Sequence, residues 1–303
     1  MGGGTLTTFV FEVVAESGCA LPWFAGHETR GGFLRAVRCV DEGLAGRLHS
    51  GVEAGVRGRR AVMSLKALRV VSGVRWVRVE DEGRSPLRWG LGSRMGFKAL
   101  VEAGGRGWFS VTLLDEGVAR DSVSVLPSLM GGEVVVGPCR FRVSSMSIEV
   151  VATDKLWEDA PGEWGGIDLY FSTPTYLNPL RGDAQYKILY PDLTALLGNL
   201  VAIARHVTRG SYPKPEDLAN HVYVAGIDIK TPRTKSGAST PTGFVGWVKI
   251  RPKKDAPREA LKIIAYLLKL SEKTNLGGNR SAGYGETKVE VSTQSNQGEA
   301  GSR

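Results

Sequence analysis

Long apolar runs are missing from this chain of 303 residues: none approaches the roughly 18 residues of a membrane span, and no basic stretch leads into an apolar core at the N-terminus. A cytoplasmic location with no membrane contact is the expectation. Cysteine is scarce. Cys19, Cys39 and Cys139 stand far apart with no Cys-x-x-Cys, which argues against a disulfide framework and a structural zinc. Histidine is nearly as rare, and His27, His49, His206 and His221 show no metal-ligand spacing, so neither a metal nor a cofactor is expected. Tyrosine is absent before Tyr170, and Lys66, Lys98 and Lys155 are the only lysines of the first 160 residues. No Walker A sequence and no Gly-x-Ser-x-Gly occurs, and Gly90-Leu91-Gly92-Ser93-Arg94-Met95-Gly96 has the wrong spacing for a dinucleotide loop. Nucleotide hydrolysis and serine esterase chemistry drop out.

What is present describes a globular protein: 42% hydrophobic and 23% charged residues, with net charge +8. Residues 1 to 160 carry 20 Lys+Arg against 18 Asp+Glu, and residues 161 to 303 carry 19 against 13, so the basic excess sits in the second half. Such a balance fits an acidic polymer as partner.

Periodicity orders the first half as a strand over 5–15, a loop through Leu21-Pro22, a helix over Phe33 to His49, strands over 61–71 and 74–80, a glycine- and arginine-rich hairpin tip over 81–96, a strand over 108–114, a helix over 115–130 and a long strand or hairpin over 133–151. The second half repeats the order: a strand over 167–173, a helix over 191–207, strands over 221–230 and 243–251, a helix over 257–270 and a last strand over 283–291. Each half reads β-α-β-β-α-β. The expected fold is therefore α+β, two tandem ferredoxin-like domains. Linker composition over 153–166 puts the expected domains at 1–155 and 156–291, followed by a disordered tail over 292–303.

Asn275-Leu276-Gly277-Gly278-Asn279-Arg280-Ser281-Ala282-Gly283-Tyr284-Gly285 joins the last helix to the last strand. Gly277, Gly278, Gly283 and Gly285 permit close backbone approach and amides turned toward an anion, with Arg280 as a forked cation among them; a long glycine-capped turn is the plainer alternative. The spacing of Gly277, Gly283 and Gly285 resembles the C-terminal glycine-rich loop of the RAMP superfamily, with Asn275 where the first glycine is usual; asparagine tolerates a left-handed backbone. With Asp168-Leu169-Tyr170-Phe171-Ser172-Thr173-Pro174-Thr175 and Gly243-Phe244-Val245-Gly246-Trp247-Val248, the chain is similar to the CRISPR-associated repeat-RNA (pre-crRNA) endoribonuclease of that superfamily.

That resemblance implies a metal-independent reaction in which the RNA 2′-hydroxyl attacks the adjacent phosphate and leaves a 2′,3′-cyclic phosphate. The implied partner is CRISPR repeat RNA; other Cas proteins and a homodimer are further candidates. The chemistry needs a base, an acid and cations around the phosphorane, and histidine suits either proton transfer. His49 is the first candidate, because it ends the first helix where the family places its histidine, with Arg57, Arg59 and Arg60 close behind. A helix-capping role is its structural alternative. His27 is the reserve, beside Arg30 in a glycine-rich loop, and Lys66 is expected opposite the first helix as a stabilising cation. A family tyrosine in the first domain has no counterpart here. For RNA binding, Arg280, Lys230, Arg233, Lys235, Arg251, Lys253 and Lys254 are expected to form one basic set at one end of the second domain. Aromatic residues at RRM-like stacking positions are not evident, so stem shape and backbone are expected to matter more than splayed bases. The rivals are a non-catalytic RAMP subunit that binds guide RNA and a generic RRM-type RNA-binding protein.

Overall fold

The computed structural model describes residues 3–53, 59–78, 97–180, 186–232 and 242–292. Arg57, Arg233, Lys235, the hairpin tip and the tail beyond Ser292 lie outside the described residues, and of Arg59 only the backbone is described. The chain divides into two compact units: an N-terminal unit of residues 7–150 with 281–283, and a C-terminal unit of residues 1–6, 151–280 and 284–303.

The first half of the chain contains β1 (Thr5–Ala15), β2 (Cys19–Pro22), α1 (Gly26–Val40), α2 (Glu42–Ser50), β3 (Val52–Glu53), β4 (Arg59–Arg60), β5 (Met63–Arg78), β6 (Phe97–Leu113), α3 (Glu116–Val125), β7 (Glu133–Val136) and β8 (Cys139–Ala152). The central strands lie in the order β5-β6-β1-β8, the ferredoxin-like arrangement, with β2 and β7 added at the sides. Phe11 pairs with Phe109, and Phe33 of α1 packs 5.8 Å from one ring and 6.1 Å from the other. All three are fully buried, each stabilising the unit by roughly 2 kcal/mol. Strand pleating turns the alternate residues to the other face, where Thr8, Ser64, Ser110 and Thr112 are buried and the Thr8 and Thr112 hydroxyls lie 2.9 Å apart.

The expected first helix is in fact two. Asp41 is extended (φ −149°), and its carboxylate accepts the Leu44 amide at 2.7 Å, which ends α1 and caps α2. Helix α1 also begins at Gly26, seven residues before Phe33, so it runs through Gly31-Gly32. The reason is packing: a Cβ at Gly32 would stand 2.2 Å from the Val135 carbonyl oxygen of β7. The strands expected over 61–71 and 74–80 are one long β5, kinked at Gly73 (φ 61°) rather than ended there.

The second half contains α4 (Thr153–Glu158), β9 (Gly166–Thr175), α5 (Leu193–Thr208), α6 (Pro215–Ala219), β10 (Val222–Lys230), β11 (Phe244–Pro252), α7 (Arg258–Thr274) and β12 (Thr287–Ser292). The strand order β10-β11-β9-β12 is again ferredoxin-like. Leu169 and Phe171 are buried on one face of it, where the Phe171 ring packs edge-on against Phe244 at 4.8 Å. No helix among the described residues is long and apolar enough to cross a membrane.

One expectation is overturned here. Cys19 and Cys139 form a disulfide across a sequence separation of 120, because β2 and the start of β8 converge while their codons lie far apart. Cys39 is exposed and outside it. Closing so long a loop stabilises the folded chain by ~5 kcal/mol on the chain-entropy account. Cys19→Ser, or reduction, should therefore lower the thermal midpoint of the N-terminal unit by roughly 10–20 °C in calorimetry. An unchanged midpoint in reductant would count against the bridge.

Candidate functional site

Helix α7 is capped by Asn275, whose φ of 56° is positive but whose ψ of 171° is extended, so it is not the compact left-handed turn that asparagine favours. From there the glycine loop turns inward. Residues 275–278 and 282–287 are buried, and only Asn279, Arg280 and Ser281 keep part of their surface in solvent. Gly278 donates its amide to the Tyr176 carbonyl at 3.0 Å, Gly285 to that of Pro174 at 3.0 Å, and Leu276 to that of Gly285 at 2.8 Å. The expectation of four glycine amides facing an anion is thus corrected: those of Gly278 and Gly285 are held by the end of β9 and the residue after it. The glycines serve contact instead. Gly285 has φ 72°, and a Cβ there would lie 1.7 Å from the Leu276 oxygen. Arg280 donates to the Thr274 carbonyl at 3.4 Å, and although partly solvent-accessible it is surrounded by protein, which pulls its pKa down to about 10.

The tip of the loop belongs to the N-terminal unit. A Cβ at Gly26 would stand 2.1 Å from the Ala282 carbonyl oxygen, and one at Gly283 would stand 3.2 Å from Ala67 of β5. The tip therefore rests on the first residue of α1, beside His27. Thr29 Oγ1 adds a second tie between α1 and β5, accepting the Leu68 amide at 3.1 Å.

His27 lies in the opening turn of α1, not in a loop, and Arg30 follows one turn later. Its imidazole pKa is lowered by burial, raised in part by Glu28, and lowered again by Arg30. His49 is exposed in the last turn of α2, and its backbone carbonyl accepts Arg30 Nη2 at 3.1 Å. Arg30 Nε is buried with no hydrogen-bond partner among the described residues, and burial lowers the guanidinium pKa. One guanidinium thus bridges the turns that carry the two candidate histidines. Arg30 was named in the sequence only as a neighbour of His27; its reach to His49 is legible once the helix is known to start at Gly26.

Lys66 is not with them. It pairs with Ser110, one residue out of step with Leu65 and Val111, so the pleat turns it to the face opposite Phe11, Phe33 and Phe109. The basic set is also divided. Lys230 pairs with Val245 at the end of the sheet that carries the glycine loop, whereas Arg251 pairs with Tyr223 roughly 20 Å along the strands. There Arg251 donates to the Gly165 carbonyl at 2.9 Å and to Ser292 Oγ at 3.3 Å, and Lys253 and Lys254 continue beyond it. Among the described residues no group of three or more His, Cys, Asp or Glu is placed to hold a metal ion.

Aromatic residues do occupy RRM-like positions, which strand register reveals and spacing did not. Tyr170 of β9 and Trp247 of β11 pair directly, on the face opposite buried Leu169 and Phe171. That face is charge-balanced: Tyr170 donates its hydroxyl to Glu290 at 3.3 Å, Lys288 pairs with Glu290, and Lys249 pairs with Asp168.

Residues 169–287, from β9 through the glycine loop, match the family model for CRISPR-associated endoribonuclease Cas6. No curated protein matches. Solved structures with this fold include Thermus thermophilus Cas6 (17% identity, TM-score 0.63, covering 95% of this chain and 99% of that one). Another is a Cas6 product complex (19%, 0.62, 95% and 100%), and a third is a RAMP protein binding different RNA substrates (11%, 0.56, 94% and 99%). Over that segment the chain resembles the Cas6 endoribonucleases, and it shares the fold of these solved structures. The Cas6 match ends within β12 and begins after β8, so His27, Arg30 and His49 lie outside the matched segment while the loop that touches Gly26 lies inside it.

Because the Arg30 charge opposes protonation of His27, Arg30→Gln should raise the His27 pKa, read from its imidazole resonances in an NMR titration. A value that stays put would separate the two side chains electrostatically.

Proposed function

We propose that the chain is a metal-independent endoribonuclease that cleaves precursor CRISPR RNA within its repeats. The observation that carries this reading is the Cas6 family match through the glycine loop, whose tip lies against the first turn of α1. In the proposed reaction the 2′-oxygen attacks the neighbouring phosphorus and the bond from phosphorus to the 5′-oxygen breaks. The upstream fragment ends in a 2′,3′-cyclic phosphate and the downstream fragment in a 5′-hydroxyl. His27, kept neutral by burial and by Arg30, accepts the proton of the 2′-hydroxyl. His49 returns a proton to the departing 5′-oxygen. Arg30 holds the two turns in one arrangement, and Arg280, the partly accessible cation of the glycine loop, contacts the RNA backbone. Lys66 has no part in the proton transfers.

End-labelled RNA spanning one repeat, incubated in EDTA, should be cut once by the wild-type protein. His27→Ala and His49→Ala should each slow single-turnover cleavage about a hundredfold or more with little loss of binding. A base whose pKa is lowered from 6.5 loses its acceptor form only on further acidification, so the acid limb of the rate should fall below pH 6.5. Tight binding without any cut would favour a guide-binding RAMP subunit, and a cut that requires a divalent cation would reject the metal-free route.

A further inference from the structure

The described residues of the connection between β9 and α5, 176–180 and 186–192, are braced at several points. Leu177 and Ile188 exchange both backbone hydrogen bonds at 3.0 Å, and Leu177 is fully buried. Asn178 and Asn199 of α5 exchange two more, at 3.3 and 2.9 Å, while the Asp192 amide bonds to the Tyr190 carbonyl at 2.9 Å. Lys187 places its ammonium 4.2 Å from the centre of the Tyr176 ring, and Tyr176 in turn stacks edge-on against Tyr284 of the glycine loop. Against these ties among the described residues, two rings stand out in solvent. Tyr186 and Tyr190 are 65% and 56% exposed, and among the described contacts no hydrogen bond holds either hydroxyl.

Large aromatic side chains left in water on an anchored backbone lose little entropy on binding a flat partner. The partner class follows from position. Pro174 bonds to Gly285, Tyr176 to Gly278, and Lys230 ends its strand at the same edge, so this connection stands at the glycine-loop end of a unit whose half of the chain holds the basic excess. The paired Tyr170 and Trp247 are less suited to a polyanion, because the charges around them, Lys249 with Asp168 and Lys288 with Glu290, already pair with one another and the Tyr170 hydroxyl is held by Glu290.

We propose that Tyr186 and Tyr190 form a stacking site for unpaired nucleobases of the bound RNA. This rests on the RNA-processing reading above. The two residues are four apart in sequence, and each ring offers a base a face on which to stack. Stacking reads no particular sequence, and it adds affinity for single-stranded RNA beyond what phosphate contacts give.

The test uses the full chain and two fluorescent probes, an unstructured 20-nucleotide RNA and a blunt hairpin RNA with a capped tetraloop. Tyr186→Ala and Tyr190→Ala should each weaken binding of the unstructured RNA about 5- to 100-fold, and the double variant by about the product. Tyr→Phe at either position should bind like wild type, because the ring and not the hydroxyl makes the contact. The slope of log affinity against log salt should be unchanged, since no phosphate contact is removed. Hairpin binding should be unaffected. Unaltered binding of the unstructured RNA by the alanine variants, with the wild type binding both probes, overturns the stacking site and leaves the RNA reading intact. Equal losses with phenylalanine overturn stacking as the cause. A wild type that binds neither probe overturns the RNA reading itself and turns this surface over to a protein partner. Unchanged thermal midpoints of the variants exclude a folding defect.

Discussion

The close approach of backbone to backbone around residues 276–285 is the constraint on which the rest of the site depends. Van der Waals contact leaves no room for a side chain where Gly26 meets Ala282 or where Gly285 meets Leu276. What the glycines supply is absence of bulk at those contacts, together with positive φ at Gly277, Gly283 and Gly285. Once the loop is folded inward, its amides are committed to the carbonyls of Pro174 and Tyr176, and its exposed part shrinks to Asn279, Arg280 and Ser281. The first turn of α1 then takes its place against the tip, and His27 with it.

Electrostatics at α1 follow from that packing. Partial burial makes the charged imidazole costly, and Arg30 adds to the cost, while Glu28 works the other way. The same arginine reaches the carbonyl end of α2, where a helix leaves acceptors without partners. A single side chain thereby links the ionisation of one histidine to the placement of the other.

Much of the architecture was legible in the sequence. Period-2 and period-3.6 patterns gave both ferredoxin-like orders, and the positive φ of Asn275 falls where a glycine was the expected residue, though its extended ψ is not the left-handed turn. The misses have identifiable causes. The apolar stripe runs unbroken through Asp41, so nothing in periodicity marks the break that the aspartate cap makes. Gly31 and Gly32 read as loop because helix propensity knows nothing of the Val135 carbonyl that excludes a side chain. The disulfide joins residues 120 apart, and the Tyr170–Trp247 pair depends on register, so both are tertiary facts. Lys66 was placed by strand membership without its parity, and parity decides the face. For the basic residues, strand direction separates Lys230 from Arg251, which sequence proximity to a common hairpin conceals.

The assignment of Ser281–Gly283 to one unit and of both flanking stretches to the other means that the chain changes unit at 6/7, 150/151, 280/281 and 283/284. Genetic fission of this protein at its apparent midpoint would therefore not yield two self-sufficient halves. A fragment ending at residue 150 would lack three residues of its own unit, the ones that meet Gly26 and Ala67, and it would carry six that belong to the other. The fold reads as a tandem duplication, yet the late glycine loop returns three residues to the first copy.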